Sequence, residues 1–195
     1  MTRFADDMQK ELAARADLIA SLDAEVALRM SDIATGVIAS LRAGGTIYAC
    51  GNGGSATQAA HFAAELVGRY KKDRAALPAF ALGENSAVVT SLSNDYSFDD
   101  VFARQIAGIG RRGDCLLALS TSGTSRNVVR ACRVAADKGV HVFALTGAGG
   151  GEMARLAEVT VAVPSSDTPH VQELHLAILH ILCRVVEAEM FPATP

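Results

Sequence analysis

The chain has 195 residues, of which 50% are hydrophobic, which is enough to bury one large core and excludes a disordered protein. Its formal net charge is −3, from 18 basic and 21 acidic residues, so no overall positive field attracts nucleic acid or an anionic membrane. An anion that binds this protein must therefore be held by local groups.

Four cysteines lie far apart in the sequence and form no CxxC pair: Cys50, Cys115, Cys132 and Cys183. Three of them fall in apolar stretches, where a free thiol behaves as a small hydrophobic side chain. Residues 1–18 mix acidic and basic side chains and lack the apolar core of a signal peptide. No run approaches the roughly 20 apolar residues that cross a bilayer. We expect a cytoplasmic protein that does not enter a membrane.

The predicted elements alternate between helices and strands. Apolar residues recur at intervals of three and four from about residue 4 to residue 41, which predicts two N-terminal helices. Short apolar runs predict buried strands at residues 46–50, 79–82, 115–119, 140–145 and 159–163. Segments of helical character lie between and after the strands, for example residues 56–67, 125–138 and 168–189.

Strands that alternate with helices pair in parallel through right-handed crossovers. The predicted fold is therefore an α/β protein, a three-layer α/β/α sandwich around a five-stranded parallel sheet of flavodoxin-like type. No internal repeat, charge block or Pro-rich linker divides the chain. We expect residues 1–195 to form a single domain, with the helices of residues 1–43 packing on the core or on a neighbouring subunit.

Two polar turns follow predicted strands, at the edge where open α/β sheets bind ligands. Residues 51–55 contain three glycines that permit close backbone approach, and Ser55 is expected to cap the next helix. Residues 120–125 contain five hydroxyl side chains around Gly123. Hydroxyl donors at a helix N-terminus can hold a phosphate without a charged side chain. A turn that only caps its helix is the alternative for either loop alone, and two such loops favour a ligand.

Neither loop matches a nucleotide-binding motif. No Gly-Lys-Ser/Thr follows at the spacing of a Walker loop, and residues 51–54 are only loosely similar to the dinucleotide fingerprint. The glycines of residues 149–151, after the fourth strand, are predicted to form a turn.

Candidate acid–base groups begin with His61 and Glu65, which are four residues apart and so project from one face of the helix after the glycine loop. Such a pair is often only a surface contact, but here it lies on the helix whose N-terminus carries the predicted ligand loop.

The last predicted helix adds Gln172, Glu173, His175 and His180. Around the helix axis, Glu173 lies within about 20° of His180 and Gln172 about 80° away, so spacing does not favour Gln172 as its partner. Both histidines remain open to a second interpretation as buried core or interface residues.

Residues 50–55 and 61–66 resemble motifs of the sedoheptulose 7-phosphate isomerases, or phosphoheptose isomerases, which are built on the sugar isomerase (SIS) domain. Similar segments follow in the family's order at residues 77–78, 94–96, 101–105, 120–123 and 145–147, and at Gln172, Glu173, His175 and His180. The resemblance implies conversion of sedoheptulose 7-phosphate to D-glycero-D-manno-heptose 7-phosphate, the first step of bacterial heptose biosynthesis for surface polysaccharide. It also implies a homotetramer.

The resemblance further implies a role for each matching residue. Glu65 and His180 correspond to the acid–base catalysts, and His61, Glu65, Gln172 and His180 to the ligands of one zinc ion per subunit. Here the resemblance overrides the spacing, which disfavours Gln172. The implied substrate contacts are Asn52, Gly53, Gly54, Ser55, Glu65, Asn94, Asp95, Ser120, Thr121, Ser122, Ser125 and Gln172. Thr124 and His170 depart from the residues common in the family.

Two other functions stay open at the level of sequence. A regulatory protein could use the same fold to bind a phosphosugar and act through a protein partner, and a related isomerase could act on a different ketose phosphate. A pure binder has no need of both Glu65 and His180, so the sequence favours an enzyme.

Overall fold

The computed structural model describes residues 3–192 as seven α-helices, two short 3-10 helices and one five-stranded sheet. The helices are α1 Arg3–Ala20, α2 Ala24–Arg42, α3 Gly54–Val67, α4 Ser86–Asp95, α5 Val101–Ile109, α6 Arg126–Asp137 and α7 Thr168–Met190. The strands are β1 Ile47–Cys50, β2 Ala79–Ala81, β3 Cys115–Ser120, β4 His141–Thr146 and β5 Val159–Ala162. All five predicted strands are confirmed, because each end lies within one residue of its prediction.

The sheet is parallel throughout, in the order β2-β1-β3-β4-β5. Alternate side chains of each strand enter opposite core layers: Ile47 packs with α2, α3 and α7, whereas Tyr48 packs with α5 and α6. The predicted three-layer sandwich is therefore confirmed. The order is that of flavodoxin-like sheets, in which the switch point between β1 and β3 is the expected ligand site.

Two helices were not among the predicted segments. Helix α4 buries no residue, so it carries no apolar stripe from which a helix could be predicted. Helix α5 has such a stripe, with Val101, Phe102 and Ile106 buried, but its nine residues are too few to show the helical period clearly.

Helix ends depend on short polar side chains and on one glycine. Asp23 accepts a hydrogen bond from the N–H of Val26 at 3.0 Å and starts α2. At α3, Gly53 occupies the capping position with φ 54°, a left-handed conformation that favours glycine. The prediction that Ser55 caps α3 is wrong, because the helix begins at Gly54 and Ser55 is buried in its first turn.

The two N-terminal helices differ in how they pack. Helix α2 buries Ile33 and Val37 in the core, whereas α1 exposes Phe4, Met8 and Leu12 by about two thirds or more (73%, 66% and 68%). No helix within residues 3–192 has the length and apolar character needed to cross a bilayer.

Candidate active site

The two predicted ligand loops meet at the switch point of the sheet. Asn52, in the loop after β1, and Asn127, in the first turn of α6, exchange two amide hydrogen bonds of 2.8 and 2.7 Å. Asn127 is 3% exposed, and its Oδ1 also accepts from the N–H of Val128. This pair joins the glycine loop to the start of α6, directly after the hydroxyl loop. Sequence reasoning missed Asn127, although a short polar side chain directly after the hydroxyl loop and before the apolar pair Val128 and Val129 is the signal that marks it.

The hydroxyl loop after β3 is held together by its own side chains. Ser120 Oγ lies 2.9 Å from Ser125 Oγ and 3.4 Å from Ser122 Oγ. Ser122 Oγ also accepts from the backbone N–H and the hydroxyl of Thr124, at 3.2 and 3.0 Å. Ser125 precedes α6 but makes no side-chain capping bond, so the interpretation of this loop as a simple helix cap is not supported. The hydroxyl groups of the loop are clustered at the N-terminus of α6, where an anion is favoured.

The glycine turn at residues 149–151 packs against the hydroxyl loop. The prediction of a turn at residues 149–151 is confirmed, and all three glycines have positive φ values of 82°, 72° and 58°. Gly123 also has positive φ, and its carbonyl accepts from the N–H of Met153 at 3.0 Å. A side chain at Gly123 would overlap the backbone of Gly150, since a Cβ there lies 2.6 Å from the Gly150 carbonyl carbon.

A second cluster joins α3 and α7. His61 Nε2 lies 3.1 Å from Glu65 Oε1 and 3.1 Å from His180 Nε2. One ligand atom from each of the three residues lies within 4.8 Å of the others. The predicted catalytic residues Glu65 and His180, which are distant in sequence, are therefore brought together with the predicted ligand His61.

The chemistry of this cluster fits a bound cation. The Nε2 atom of a neutral imidazole is a donor or an acceptor but not both, so His61 cannot form a good hydrogen bond to the Glu65 carboxylate and to His180 at once through one proton. Zinc bound tetrahedrally at about 2.0–2.1 Å spaces its ligands about 3.3 Å apart, close to the two separations of 3.1 Å from His61 Nε2 to Glu65 and His180. A cation would satisfy all three ligand atoms simultaneously.

The structure places Gln172 outside this cluster. Its side chain lies at the start of α3, where a Cβ on Gly54 would be 2.6 Å from Gln172 Nε2, and its carbonyl accepts from the side chain of Gln58. His180 is eight residues further along α7, about 12 Å away by helical rise. Gln172 therefore lies beside the glycine loop within one chain.

Other predicted site residues also separate. Glu173 does not approach His180, because its carboxylate pairs with Arg15 of α1 at 2.8 Å. Asn94 and Asp95 end α4 on the surface, where Asn94 Nδ2 donates to Asp95 Oδ1 at 2.8 Å. Glu65 is eleven residues into α3 from Gly54, about 16 Å along the axis from the glycine loop. Within one chain, then, the acid–base cluster and the glycine loop are separate sites.

His175 is a core residue, as the second interpretation of the sequence allowed. It is fully buried, and its Nε2 donates to the carbonyl of Thr146 at 3.1 Å. Burial lowers the pKa of its imidazole from the ordinary 6.5 to about 4, and the bond to Thr146 only partly offsets this. His175 is therefore neutral near pH 7.

Comparison with known proteins agrees with this architecture. Residues 12–147 match the SIS domain family. A phosphoheptose isomerase from Rhodospirillum rubrum is 55% identical over 155 residues, 79% of this chain and 82% of that protein. One from Geobacter sulfurreducens is 41% identical over 187 residues, 96% of this chain and 99% of that protein. The structure of a phosphoheptose isomerase from Francisella tularensis superposes with a TM-score of 0.90 at 32% identity, covering 95% of this chain and 98% of that one. The chain therefore belongs to the phosphoheptose isomerases, within the SIS domain family.

Proposed function

We propose that this protein converts sedoheptulose 7-phosphate to D-glycero-D-manno-heptose 7-phosphate, the first step of bacterial heptose biosynthesis, by proton transfer through an enediol. The observation that carries the proposal is the cluster in which His61 contacts both Glu65 and His180 at 3.1 Å. An aldose–ketose isomerase needs a base and an acid at adjacent carbons, and this cluster supplies a carboxylate and an imidazole. The relatives support the choice of substrate.

In the proposed reaction, Glu65 removes the proton from the carbon beside the carbonyl. A carboxylate has two oxygens, so Glu65 is able to hold His61 or an ion through Oε1 and to take the proton at Oε2. His180 transfers protons to and from the substrate oxygens on the opposite side. Glu65 is 24% exposed, which leaves it accessible to a substrate.

We propose zinc as the cofactor, one ion per subunit, held by His61, Glu65 and His180. Two imidazole nitrogens and one carboxylate oxygen are a ligand set typical of zinc, and catalytic zinc sites often have three protein ligands. When bound, zinc supplies positive charge that stabilises the developing enediolate. Gln172 is proposed as a further ligand only if an assembly brings it to the cluster.

Phosphate binding is assigned to the two loops at the switch point. The proposed contacts in the glycine loop are Asn52, Gly53, Gly54 and Ser55; those in the hydroxyl loop are Ser120, Thr121, Ser122 and Ser125; and Asn94, Asp95 and Gln172 are proposed to contact the sugar. The clustered hydroxyl groups at the N-terminus of α6 support this assignment, because they offer donors to an anion without a cationic side chain.

We propose that the complete site forms in a homotetramer. The glycine loop and Glu65 of one chain are about 16 Å apart along α3, so a loop and an acid–base cluster from different chains must meet around one substrate. Exposed apolar side chains support such contacts: Ile181 is 48% exposed beside His180, and Ile19 is 56% exposed on α1. Under this proposal residues 1–195 form one domain, with α1 packed on a neighbouring subunit.

A cytoplasmic location is proposed on the state of the cysteines. All four are free and buried. Burial raises the pKa of Cys115, Cys132 and Cys183 to about 12, so their thiols are not ionised at neutral pH. Free thiols are usual where the surroundings are reducing.

A turnover assay tests the proposal. Purified protein incubated with sedoheptulose 7-phosphate should form the aldose, and a chelator should lower the rate because it removes the ion. The regulatory alternative predicts tight binding of the sugar phosphate without product. Other ketose phosphates, offered in parallel, test the alternative of a related isomerase.

A further inference from the structure

The turn that follows α3 is fixed by a single buried carboxylate from α7. Glu187 accepts hydrogen bonds from three consecutive backbone N–H groups, those of Tyr70, Lys71 and Lys72, at 2.9, 2.9 and 3.0 Å. It also accepts from Arg74 Nε at 3.2 Å. Consecutive N–H groups that converge on one anion hold a turn in one conformation.

Arg74 extends this contact to the end of α3. Its side chain is only 2% exposed, and it donates to the carbonyls of Glu65 and Leu66 at 2.8 and 2.7 Å and to that of Ala75 at 3.0 Å. The last carbonyls of a helix lack hydrogen-bond partners within the helix. Arg74 supplies such partners to the carbonyls in the last turn of α3, which carries Glu65. An ion pair this buried adds little net stability compared with apolar residues of the same size. The contribution of this pair is instead to hold the turn after α3 in one geometry.

The same turn also contacts His180, the second proposed catalytic residue, through the side chain of Tyr70. The ring of Tyr70 lies 5.9 Å from that of His180, centroid to centroid, at an interplanar angle of 33°. Glu187 lies seven residues beyond His180, within about 20° of the same face of α7. Helix α7 therefore carries His180 and also the carboxylate that fixes the ring packed against it.

We propose that Glu187, Arg74 and Tyr70 are positioning residues, a clamp that sets the backbone of Glu65 and the ring of His180 relative to each other. This rests on the proposed function of Glu65 and His180. Burial raises the pKa of the Glu187 carboxyl, but the hydrogen bonds from the three backbone N–H groups and from Arg74 lower it by more. The pKa therefore lies below its ordinary value. Glu187 is then ionised at neutral pH, as the clamp requires.

Substitutions at Tyr70 distinguish a positioning role from a contribution to stability alone. Tyr70→Leu removes the ring from His180 but leaves Glu187 and Arg74 paired, so the protein should remain folded. Tyr70→Phe keeps the ring that contacts His180. Phe80→Leu is a matched control, because the Phe80 ring is 59% exposed on β2 and stacks on Tyr48, away from the cluster.

The experiment measures kcat and KM on sedoheptulose 7-phosphate together with the thermal midpoint of each variant. Tyr70→Leu should lower kcat about tenfold and change KM by less than about twofold, because misplacing a catalytic group slows the reaction more than it weakens binding. Tyr70→Phe should restore most of the lost kcat, and Phe80→Leu should match the wild type. Glu187→Gln should lower kcat and speed hydrogen exchange at the amides of residues 70–72.

Wild-type kcat in a folded Tyr70→Leu protein overturns the proposal, and so does a loss of activity that only follows the loss of folded protein. A wild-type protein without isomerase activity contradicts the proposed function instead. In that case zinc affinity tests the clamp. Tyr70→Leu should weaken zinc binding about tenfold, because losing a group that orients a metal ligand has an effect of this size. Phe80→Leu should leave zinc binding unchanged. Equal zinc affinities in both variants would also refute the clamp.

Discussion

Replacing Gly123 by alanine should damage the hydroxyl loop in a way that its backbone geometry allows to be calculated. Gly123 has φ 66°, and an added Cβ would lie 2.6 Å from the carbonyl carbon of Gly150 and 2.9 Å from the nitrogen of Gly151. The neighbours are backbone atoms, so the two loops must separate. Gly113→Ala is the matched control, because φ is 89° there and nothing lies within 4 Å of an added Cβ.

The two variants share the cost of left-handed backbone and differ in the overlap. That backbone costs alanine about 1.5 kcal/mol, which for a chain of this size lowers the thermal midpoint by roughly 5 °C in Gly113→Ala. Overpacking adds about 1.5 kcal/mol more, so Gly123→Ala should lose about 3 kcal/mol, roughly 10 °C. Both midpoints are to be measured at one protein concentration, because assembly affects them.

The variants should also differ in substrate binding. Gly123→Ala displaces Ser122 and its neighbours, so KM for the sugar phosphate should rise by about tenfold, the equivalent of one or two hydrogen bonds. Gly113→Ala should leave KM unchanged. Equal losses of stability, or an unchanged KM in a folded Gly123→Ala protein, would show that contact with the glycine turn does not shape the loop.

Three further predictions concern single side chains. Glu65→Gln and His180→Gln should each lower kcat by at least about 100-fold in steady-state assays, and full activity in either variant contradicts its role. Asn127→Ala should raise KM several-fold with kcat little changed, since it releases Asn52, and an unchanged KM argues against the loop contact. The pKa of His175 falls from 6.5 when unfolded to about 4 when folded, so the unfolded state binds the extra proton. Stability should therefore drop by about 3 kcal/mol as pH falls from 6.5 to 4, and His175→Leu should flatten this slope in urea titrations.

The strands and the ligand loops could be predicted because their signals are local. Apolar runs such as residues 115–119 identify buried strands, and hydroxyl or glycine turns directly after them lie at the edge of a parallel sheet. The pairing of Asn52 with Asn127 could not be predicted, because it depends on which strands are neighbours. Helix α4 was not predicted for a different reason: it buries no residue and so shows no apolar stripe in the sequence.

Around α7, spacing on one helix was a poor guide to partners. The angle between Glu173 and His180 was correct as geometry, but Glu173 pairs with Arg15 on α1, which the sequence pattern does not place. His180 instead contacts His61, which lies 119 positions away in the sequence. The role of Gln172 depends on contacts between chains and stays a prediction.

Isomerisation in D2O tests the central claim most directly. If Glu65 removes a carbon-bound proton and exchanges it with solvent, the wild-type product should carry deuterium at C2, and Glu65→Gln should form almost no product and incorporate almost no deuterium. A Glu65→Gln protein that forms deuterated aldose at the wild-type rate would contradict the account.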